Sequence, residues 1–598
     1  MKKTRYSVKT VCLLAMCGVA LFANAQDDKK KEQDLNRQMT LEREYDPSVQ
    51  DASKVNTLPQ VKEPEVRKIP IDYSDYTLAM DPAQQISVLP SGNIMTQMDY
   101  NKRRGYLRLG AGTYMNLNGD FGYHALSTAT DQLSIAFSHR SANGNVKYIQ
   151  LPDEKVKAKI NDNLGGLKYA HAFEKASLNV GLNYGYSAYN YYGLSMLSFS
   201  SLPMQDLLNK ADRETNQVNQ TIAATLGVES KEDADLAYLV DLGFVNFSRK
   251  YGISKDTDGP KETTIEAKVN VSKRFNGDMR FGLEALVEYF NYSLPAEKAL
   301  PNGGLYICEF ENHAEVALHP YYEVEGENWK VRLGANVMLK TGDESLFMAT
   351  PNVAANFEVA DKTELYIKAN GKLYSNSMYE MSKINRYLPA EELTPSRNWL
   401  DGVLGIKSGV APGFWFDIFA GYKMTSDDVL FVPGRTFEEG GFGNFSEAMS
   451  GINTKQLFVG ASLKYSYQQL FELTLKGQYN NWKAEYGDEW IGFSDSSLEH
   501  AWGKPEMELN AGVMVRPMDK LAVALDYSLA TGRYTLLAGV DLYKMNNINE
   551  LNLTATYTLK DTFGFFAKVN NLLSQKYELY YGYPMQRLSA QVGVNINF

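Results

Sequence analysis

The chain has 598 residues and a formal net charge of -10 at pH 7, with a sequence pI near 5.4. This acidic balance argues against nucleic acid as a partner. Mean hydropathy is only -0.35, although aromatic residues make up 12% of the chain. Such values fit a soluble protein and equally a membrane β-barrel, because each barrel strand is only half apolar.

Residues 1–25 have the order of a secretory signal peptide. A basic start precedes a short apolar run at 11–22, and Ala23-Asn-Ala25 is a small-x-small cleavage site, so the mature chain is predicted to begin at Gln26. Two of the three cysteines would leave with the signal, and Cys308 alone predicts no internal disulfide. No later stretch reaches the roughly 20 apolar residues that a spanning helix needs, so no transmembrane helix is predicted.

Residues 26–100 are predicted to be a mostly irregular periplasmic segment. Prolines recur from Pro47 to Pro90, and long apolar runs are scarce, which favours an extended chain over a folded domain. The predicted organisation is therefore a signal peptide at 1–25, this segment at 26–100 and a transmembrane β-barrel at 101–598.

From residue 101 onward, apolar and polar residues alternate in runs of ten or more, as at 178–186, 365–373, 507–515 and 551–559. A tilted membrane strand needs this length, whereas strands of a soluble sandwich are shorter. The alternation predicts an all-β fold, a large antiparallel barrel of about 22 strands with a range of about 18–24.

Connections of two kinds are expected to alternate along such a barrel. Short turns are predicted at 174–175, 276–277, 326–327, 361, 412, 468 and 519. Long loops are predicted near 142–159, 190–214, 249–261, 293–307, 374–398, 426–453, 483–504 and 530–546. This order places both termini on the periplasmic side, and it assigns 533–543 to a loop although the pattern there also allows a strand.

The last eleven residues are predicted to be the closing strand. Leu588, Ala590, Val592, Val594, Ile596 and Phe598 share one face, which would meet lipid, and the residues between them share a polar face, which would meet the lumen. A half-buried edge strand of a soluble sheet alternates in the same way. The signal peptide and the alternating loop lengths favour the barrel.

Residues 547–598 resemble the end of a TonB-dependent receptor barrel. The resemblance lies in the runs 551–559, Val569-Asn-Asn-Leu-Leu-Ser-Gln-Lys-Tyr577 and Tyr583-Pro584, followed by the closing strand. Residues 385–391 with 404–407 are similar to a mid-barrel stretch of the same family, although Val403 and Leu404 stand where a glutamate is expected. The resemblance implies an outer-membrane location and a role for Phe598 in recognition by the barrel-insertion machinery.

The segment before the barrel departs from this family. A receptor of this type carries a globular plug of well over a hundred residues, whereas 26–100 is shorter and irregular, and Met39-Thr-Leu-Glu-Arg43 is a weak match to a TonB-binding box. The chain is therefore expected to lack a recognisable plug. Barrels of this size have a lumen that is normally filled, so the segment 26–100, the long loops or a partner protein must occlude it.

No catalytic motif occurs: a Ser nucleophile elbow, a phosphate loop, a zinc helix motif and paired cysteines are all missing from the sequence. Enzyme activity, a cofactor and a metal site are therefore not predicted. Glu309, Glu311, His313, Glu315 and His319 share one face of a probable strand, which allows a cation-binding patch, but an ordinary polar lumen face is favoured. For Asp256-Thr-Asp258-Gly259 an ordinary acidic loop is favoured over a calcium loop.

The long loops hold the better binding candidates. Phe437, Phe442, Phe445, Trp490 and Phe493 lie inside loops and are predicted to contact a ligand or partner. The loop near 191–204 is also unusually apolar. Aromatic residues at strand ends can instead belong to the girdles that lie at the two membrane interfaces.

Two functions remain open on these residues. The favoured one is a non-enzymatic structural or accessory component of an outer-membrane import or assembly complex, with outer-membrane or periplasmic protein partners. The alternative is a TonB-dependent-type receptor or channel for nutrient uptake, with its plug or coupling supplied in trans. Both require outer-membrane lipid and the barrel-insertion machinery, and neither involves nucleic acid.

Overall fold

A computed structural model of the chain describes residues 103–194, 216–231, 236–252, 256–275, 277–299, 305–306, 308–342, 345–409, 411–434, 445–486, 500–537, 541–560 and 562–598. The predicted signal peptide and the segment 26–100 lie outside these residues. Both therefore stay predictions.

The described residues form the following strands: β1 Gly105–Gly112, β2 Leu117–Ser127, β3 Asp131–Lys147, β4 Lys155–Ala172, β5 Ala176–Asn190, β6 Asn216–Ser230, β7 Leu236–Arg249, β8 Lys261–Phe275, β9 Met279–Ser293, β10 Lys298–Ala299, β11 Leu305–Tyr306, β12 His313–Glu325, β13 Trp329–Lys340, β14 Leu346–Ala360, β15 Thr363–Tyr374, β16 Ser396–Ser408, β17 Phe414–Pro433, β18 Ser446–Tyr467, β19 Phe471–Glu485, β20 Met507–Met518, β21 Leu521–Thr531, β22 Tyr534–Leu537, β23 Asp541–Lys544, β24 Ile548–Lys560, β25 Phe563–Asn570 and β26 Ser589–Asn597. Two hairpins, β10 with β11 and β22 with β23, stand apart from one 22-stranded sheet.

The 22-stranded sheet is a closed antiparallel barrel. Each barrel strand pairs with the next one along the chain, and β26 pairs with β1 from Tyr106 opposite Asn597 to Gly112 opposite Gln591. The terminal Phe598 ring stacks near Phe121 and Tyr123, with centroid separations of 6.4 and 6.1 Å. The predicted all-β barrel of about 22 strands is confirmed.

The barrel is apolar outside and polar inside, as β24 illustrates. Asn552, Thr554 and Thr556 are buried on its inner face, while Tyr557 and Leu559 are exposed on its outer face. Closure removes the free edges that a sheet would otherwise expose. A chain of modest mean hydropathy can therefore present a largely apolar exterior, because its polar half points inward.

One cross-strand row shows how continuous this exterior is. Trp329, Phe357, Leu365, Ile406 and Ile418 lie opposite one another on five successive strands, β13 to β17. All except Ile406 are among the exposed large hydrophobic side chains. A soluble sheet would cover such a row with a second layer, so the exterior suits lipid.

The two ends of the barrel differ in their connections. Turns such as 173–175, 326–328 and 468–470 join strands at what we call the short-turn end, and the N-terminal side of β1 and Phe598 lie there. Connections such as 148–154, 375–395 and 571–588 join strands at the opposite, long-loop end. This alternation matches the predicted order of loops and turns.

Two predicted long loops are shorter than expected. For the loop predicted at 142–159, β3 continues to Lys147 and β4 begins at Lys155; for the one at 426–453, β17 continues to Pro433 and β18 begins at Ser446. Backbone pairing extends these strands past the apolar band, where side chains no longer alternate by polarity. The predicted loop 533–543 contains the hairpin β22–β23.

Helix is confined to short pieces. The described residues contain one α-helix, Met378–Ile384, and one 3-10 turn, Thr113–Met115. Neither has the length or the apolar character to cross a bilayer.

Candidate functional site

The candidate functional site is the group of loops that meets over the long-loop end of the barrel. We call this group the loop cap and define it by residues 148–154, 191–194, 375–395, 500–506, 532–547 and 571–588, so far as the structure describes them. Its side chains form buried clusters with residues at the ends of the adjoining strands.

The helix Met378–Ile384 anchors the loop 375–395. Ser377 is its N-cap and accepts a hydrogen bond from the Glu380 amide at 3.3 Å, which is half of a capping box. Met378 and Met381 are buried one turn apart. The Tyr379 amide donates to the Glu262 carboxylate of β8 at 3.0 Å, so the barrel wall holds the helix by its N-terminus.

The loop 375–395 spans the barrel mouth. The Arg386 guanidinium reaches both carboxylate oxygens of Asp162 on β4 at 3.0 Å, and the Tyr189 hydroxyl of β5 donates to the Arg386 carbonyl. Seven barrel strands lie between β5 and β15, where this loop begins. The Tyr580 hydroxyl donates to the Ile384 carbonyl at 2.6 Å, which ties in the loop 571–588 as well.

A tyrosine cluster forms the centre of the loop cap. The rings of Tyr387 and Tyr583 stack with centroids 4.0 Å apart, and Tyr192 meets both edge-on at 5.6 and 5.0 Å. The Tyr148 hydroxyl donates to the Tyr192 carbonyl at 2.7 Å. Offset and edge-on contacts of this kind add about 0.5–1.5 kcal/mol per pair beyond area burial. Four loops from separate parts of the chain thus share one core.

Gly582 allows two of these loops to touch. Its φ is +80°, and a Cβ there would lie 2.5 Å from the Leu194 carbonyl oxygen. The Leu194 amide donates to the Gly582 carbonyl at 3.0 Å. A residue without a side chain is therefore required where the backbones of 191–194 and 571–588 meet.

A second cluster closes the part of the mouth nearest β17 to β21. Trp502 and Leu536 pack with Leu430 and Ile452, and all four are buried. Beside them the Lys504 ammonium pairs with Asp428, whose carboxylate also accepts from the Thr454 hydroxyl. Burial lowers the pKa of Lys504 even though Asp428 opposes the shift.

A buried carboxylate lies at the junction of three cap segments. Glu578 is 3% exposed and accepts a hydrogen bond from Gln150 at 3.1 Å. Burial raises the pKa of Glu578 to about 7, against the opposing effects of Gln150 and Arg533. Burial lowers the pKa of Arg533 to about 10.

The runs that carried the family resemblance take part in building the loop cap. Asn571 adopts a left-handed conformation with φ 49°, and its side chain bonds the backbone of Gln575. This turn directs the loop 571–588 back over the mouth, where Tyr583 joins the tyrosine cluster. Residues 385–391 likewise lie in the loop 375–395.

Of the predicted contact residues, the structure describes one. Phe445 is buried against Tyr189 and Tyr191. Phe437, Phe442, Trp490 and Phe493 lie outside the described residues. A role for all five in partner contact stays a prediction, and Phe445 would have to leave its cluster to act in this way. The closing-strand residues Leu588, Val592 and Phe598 are exposed on the outer surface.

Sequence reasoning gave no contact role to Arg386, Asp162, Tyr387 or Glu578, although Arg386 and Tyr387 lie in the run 385–391 that carried the family resemblance. Arg386, Tyr387 and Glu578 lie in loops without a periodic pattern, Asp162 lies in β4, and the partners that they meet in the loop cap are distant along the chain. The sequence offered one hint of these contacts, the tyrosines that recur inside long loops. An interfacial girdle of aromatic residues explained the same tyrosines.

The described part of the chain holds no group of three or more His, Cys, Asp or Glu side chains close enough to share a metal ion. In the stretch considered for a cation patch, His313 and Glu315 are buried in β12, whereas Glu309 and Glu311 precede the strand. Asp258 forms an isolated bridge with Tyr251 in the loop after β7, and no calcium cage is assembled there within the described residues.

No family model and no curated protein matches this sequence. Among solved structures, the FrpB iron transporter from Neisseria meningitidis is similar with a TM-score of 0.62 and 9% identity, covering 83% of this chain and 82% of that chain. The copper transporter OprC is similar with a TM-score of 0.59 and 12% identity, covering 83% and 80%. The ferric-catecholate import receptor Fiu from E. coli K12 has a TM-score of 0.58 and 10% identity, covering 84% and 82%.

At these identities the likeness shows the fold. The chain has the closed 22-stranded barrel that is found in TonB-dependent receptors, and the fold that the resemblance implied is thereby confirmed. The predicted absence of a plug concerns residues 26–100, which lie outside the described residues.

Proposed function

We propose that the protein is an outer-membrane transport barrel of the receptor type, with its long-loop end facing outward and closed by the loop cap. The apolar exterior suits a bilayer, and the similar solved structures are transporters and receptors. The observation that carries the proposal is the bridge across the mouth, from Asp162 and Tyr189 on one side to the loop 375–395 on the other.

In this proposal the loop cap occludes the wide lumen at its long-loop end. Four loops share a buried tyrosine core, and a solute entering from the long-loop end meets that core first. Transport then requires the loop cap to open. The sequence also offered the segment 26–100 or a partner protein as the occluding element, and with either of these in the lumen, removing loop-cap contacts would not open the pore.

Conductance in planar bilayers tests this proposal. The full chain, purified in mild detergent, is expected to conduct little, whereas the double variant Arg386→Ala/Tyr583→Ala is expected to open a large pore. Tyr583→Phe is the matched control, because it keeps the stacked ring. A wide, constantly open pore in the unaltered protein would refute closure by the loop cap.

The outer-membrane location has its own test. The protein is expected to fractionate with the outer membrane and to migrate faster in gels when it is not heated in detergent, as a closed barrel does. Recovery in the soluble periplasmic fraction would exclude a membrane role.

A second candidate function is a sealed accessory barrel that works with partner proteins in an import or assembly complex. It is favoured by the burial of Tyr191, Tyr192 and Phe445, side chains that a ligand-binding funnel would expose. If both the unaltered protein and the double variant are silent in bilayers, and defined outer-membrane partners copurify in fixed stoichiometry, this function replaces the first.

A further inference from the structure

Four lysines lie together on the β3–β4 hairpin, near the long-loop end of the barrel. Lys147 of β3 is directly opposite Lys155 of β4, and Lys157 and Lys159 follow along β4. We call these four residues the lysine face. Lys147, Lys155 and Lys157 are exposed. Like charges placed directly opposite are destabilising, so the lysine face carries a repulsion that a bound anion would relieve.

The lysine face points away from the lumen. Val146 and Val156, which are directly opposite each other and alternate with the lysines, are buried in the tyrosine cluster of the loop cap. Successive side chains of a strand point to opposite sides, so the lysines point outward. The neighbouring β1–β2 hairpin leaves them uncovered: its Tyr114 occupies the inward side of β3, where a Cβ on Gly144 would lie 2.5 Å from the Tyr114 ring.

The ammonium groups of the lysine face form no ion pair with a carboxylate of the described residues. The connection of this hairpin contributes two acidic residues, Asp153 and Glu154, which lie in its turn. Asp162, the carboxylate of β4 itself, points inward and pairs with Arg386. The lysine face therefore has an excess of positive charge, although the formal net charge of the chain is -10.

A neutral polar network connects the lysine face with the apolar exterior below it. On the same outward side, His139 Nδ1 lies 2.8 Å from Asn163 Oδ1, and the Asn163 amide donates to Asn161 at 2.9 Å. His139 Nε2 lies 3.0 Å from the Ser141 hydroxyl oxygen. Two residues before His139, Phe137 is 46% exposed on the apolar exterior. The outer surface of this one hairpin thus changes from apolar to neutral polar and then to positive.

This order matches the layers of a membrane leaflet. β3 begins at Asp131 at the short-turn end, and it rises roughly 2.3 Å per residue along the membrane normal if each residue spans about 3.3 Å and the strand tilts by about 45°. On that scale His139 lies roughly 20 Å and Lys147 roughly 40 Å from Asp131, so an apolar band of about 25 Å ends between them. The lysine face therefore lies at the level of lipid headgroups, where lysines attract anionic lipids.

We propose that the lysine face, with the polar network below it, binds the headgroup of a phosphorylated lipid of the outer leaflet. Each ammonium group offers three N–H donors, and hydrogen bonds between charged groups are roughly twice as strong as those between neutral ones. The phosphate groups pair with the lysines, the polar linkages of the lipid meet His139 and Asn163, and its acyl chains lie along Phe137. The inference goes beyond transport, but it rests on the proposed outward orientation of the long-loop end.

Native mass spectrometry of the full chain in a neutral detergent tests the site, with diphosphoryl lipid A as the probe. The unaltered protein is expected to retain the lipid, and Lys155→Gln/Lys157→Gln is expected to weaken binding at least about tenfold. Both positions are exposed, so the barrel should stay closed, and faster migration in unheated gels checks this. The matched control is Lys261→Gln/Lys483→Gln, which removes two exposed lysines from β8 and β19 and should leave lipid binding unchanged.

Equal lipid binding by the unaltered protein and both double variants would overturn the site. An equal loss in both double variants would also overturn it, because general surface charge would then hold the lipid. Displacement of lipid A by inorganic phosphate at matched ionic strength would leave a phosphate site and remove the lipid. Polyglutamate that binds the lysine face more tightly than lipid A would assign the face to an acidic protein segment instead.

This test does not depend on conductance. If lipid binding fails while the loop-cap variant still opens the pore, only the lipid assignment is lost. If the lipid binds as expected and the loop-cap variant stays silent, only closure by the loop cap is lost.

Discussion

The barrel wall and the loop cap are stabilised in opposite ways. In the wall, each residue pairs with a partner whose position follows from strand order and register, as in the row from Trp329 to Ile418. In the loop cap, contacts such as Tyr387 with Tyr583 join residues from separate loops without a repeat. The wall therefore depends on many similar interactions, and the loop cap on a few individual ones.

This contrast predicts that a single substitution in the loop cap opens the loop cap locally. A substitution in the wall should lower the stability of the whole barrel only where it places an unsuitable side chain against lipid. The loop cap can open while the barrel stays closed, because the strands keep their backbone pairing. Substitutions in the loop cap should consequently change hydrogen exchange in the cap loops, whereas substitutions in the wall should change the free energy of global unfolding.

The largest effect is expected at the tyrosine cluster. Tyr583→Ala removes a fully buried ring that touches Tyr387 and Tyr192, and it should destabilise the closed loop cap by about 3–5 kcal/mol. Hydrogen exchange should accelerate in 375–395 and 571–588, with little change in β8 or β20. Exchange that rises equally in the wall would show that cap and wall unfold as one unit.

A charge on the outer face of the wall should lower stability slightly less, but it should lower the stability of the whole barrel. Ile367 is 45% exposed and lies opposite Ala355 and Leu404, and Ile367→Arg should cost about 2–4 kcal/mol if it lies near the bilayer midplane. Unfolding by urea in lipid vesicles measures this. Asn370→Arg, on the lumen face of the same strand, is the control and should stay within about 0.5 kcal/mol.

The loop cap should also respond to pH. The pKa of Glu578 is raised from 4.5 to about 7 in the folded protein, so the folded cap binds this proton more tightly than an opened one. Stability should be greatest below about pH 4.5, fall as pH rises toward 7 and stay flat above, with a total of order 3 kcal/mol.

Hydrogen exchange of 571–588 across this pH range measures the effect, after correction for the intrinsic dependence of exchange on pH. Glu578→Gln should abolish it, because the amide does not titrate. A pH dependence that persists in this variant would assign it to another group.

The smallest effect is expected at the cap helix. Ser377→Ala removes the side chain that accepts from the Glu380 amide and should cost about 1 kcal/mol of helix stability. Limited proteolysis between residues 375 and 395 should speed up severalfold. Ser377→Asp should restore resistance, and failure to do so would mean that the tie between Tyr379 and Glu262 alone positions the helix.

Much of the wall could be predicted because its physics is local. The period-2 alternation at 551–559 and 588–598 assigns each side chain to one face, and a strand has only two faces. The loops 142–159 and 426–453 were predicted too long, since strand pairing continues beyond the region where polarity alternates.

The loop cap could not be predicted in this way. Arg386 meets Asp162 and Tyr580 meets Ile384 only because barrel closure brings their loops together. Glu288 faces Glu315 only through the register of β9 with β12. A single sequence contains no periodic signal for such pairs.

The sequence by itself therefore determined the strands, their approximate number and the polarity of their faces, because these depend on neighbours two residues apart. Only the tertiary structure decided which loops cover the mouth and which tyrosines form the shared core. Those features depend on distances through space that closure of the barrel creates.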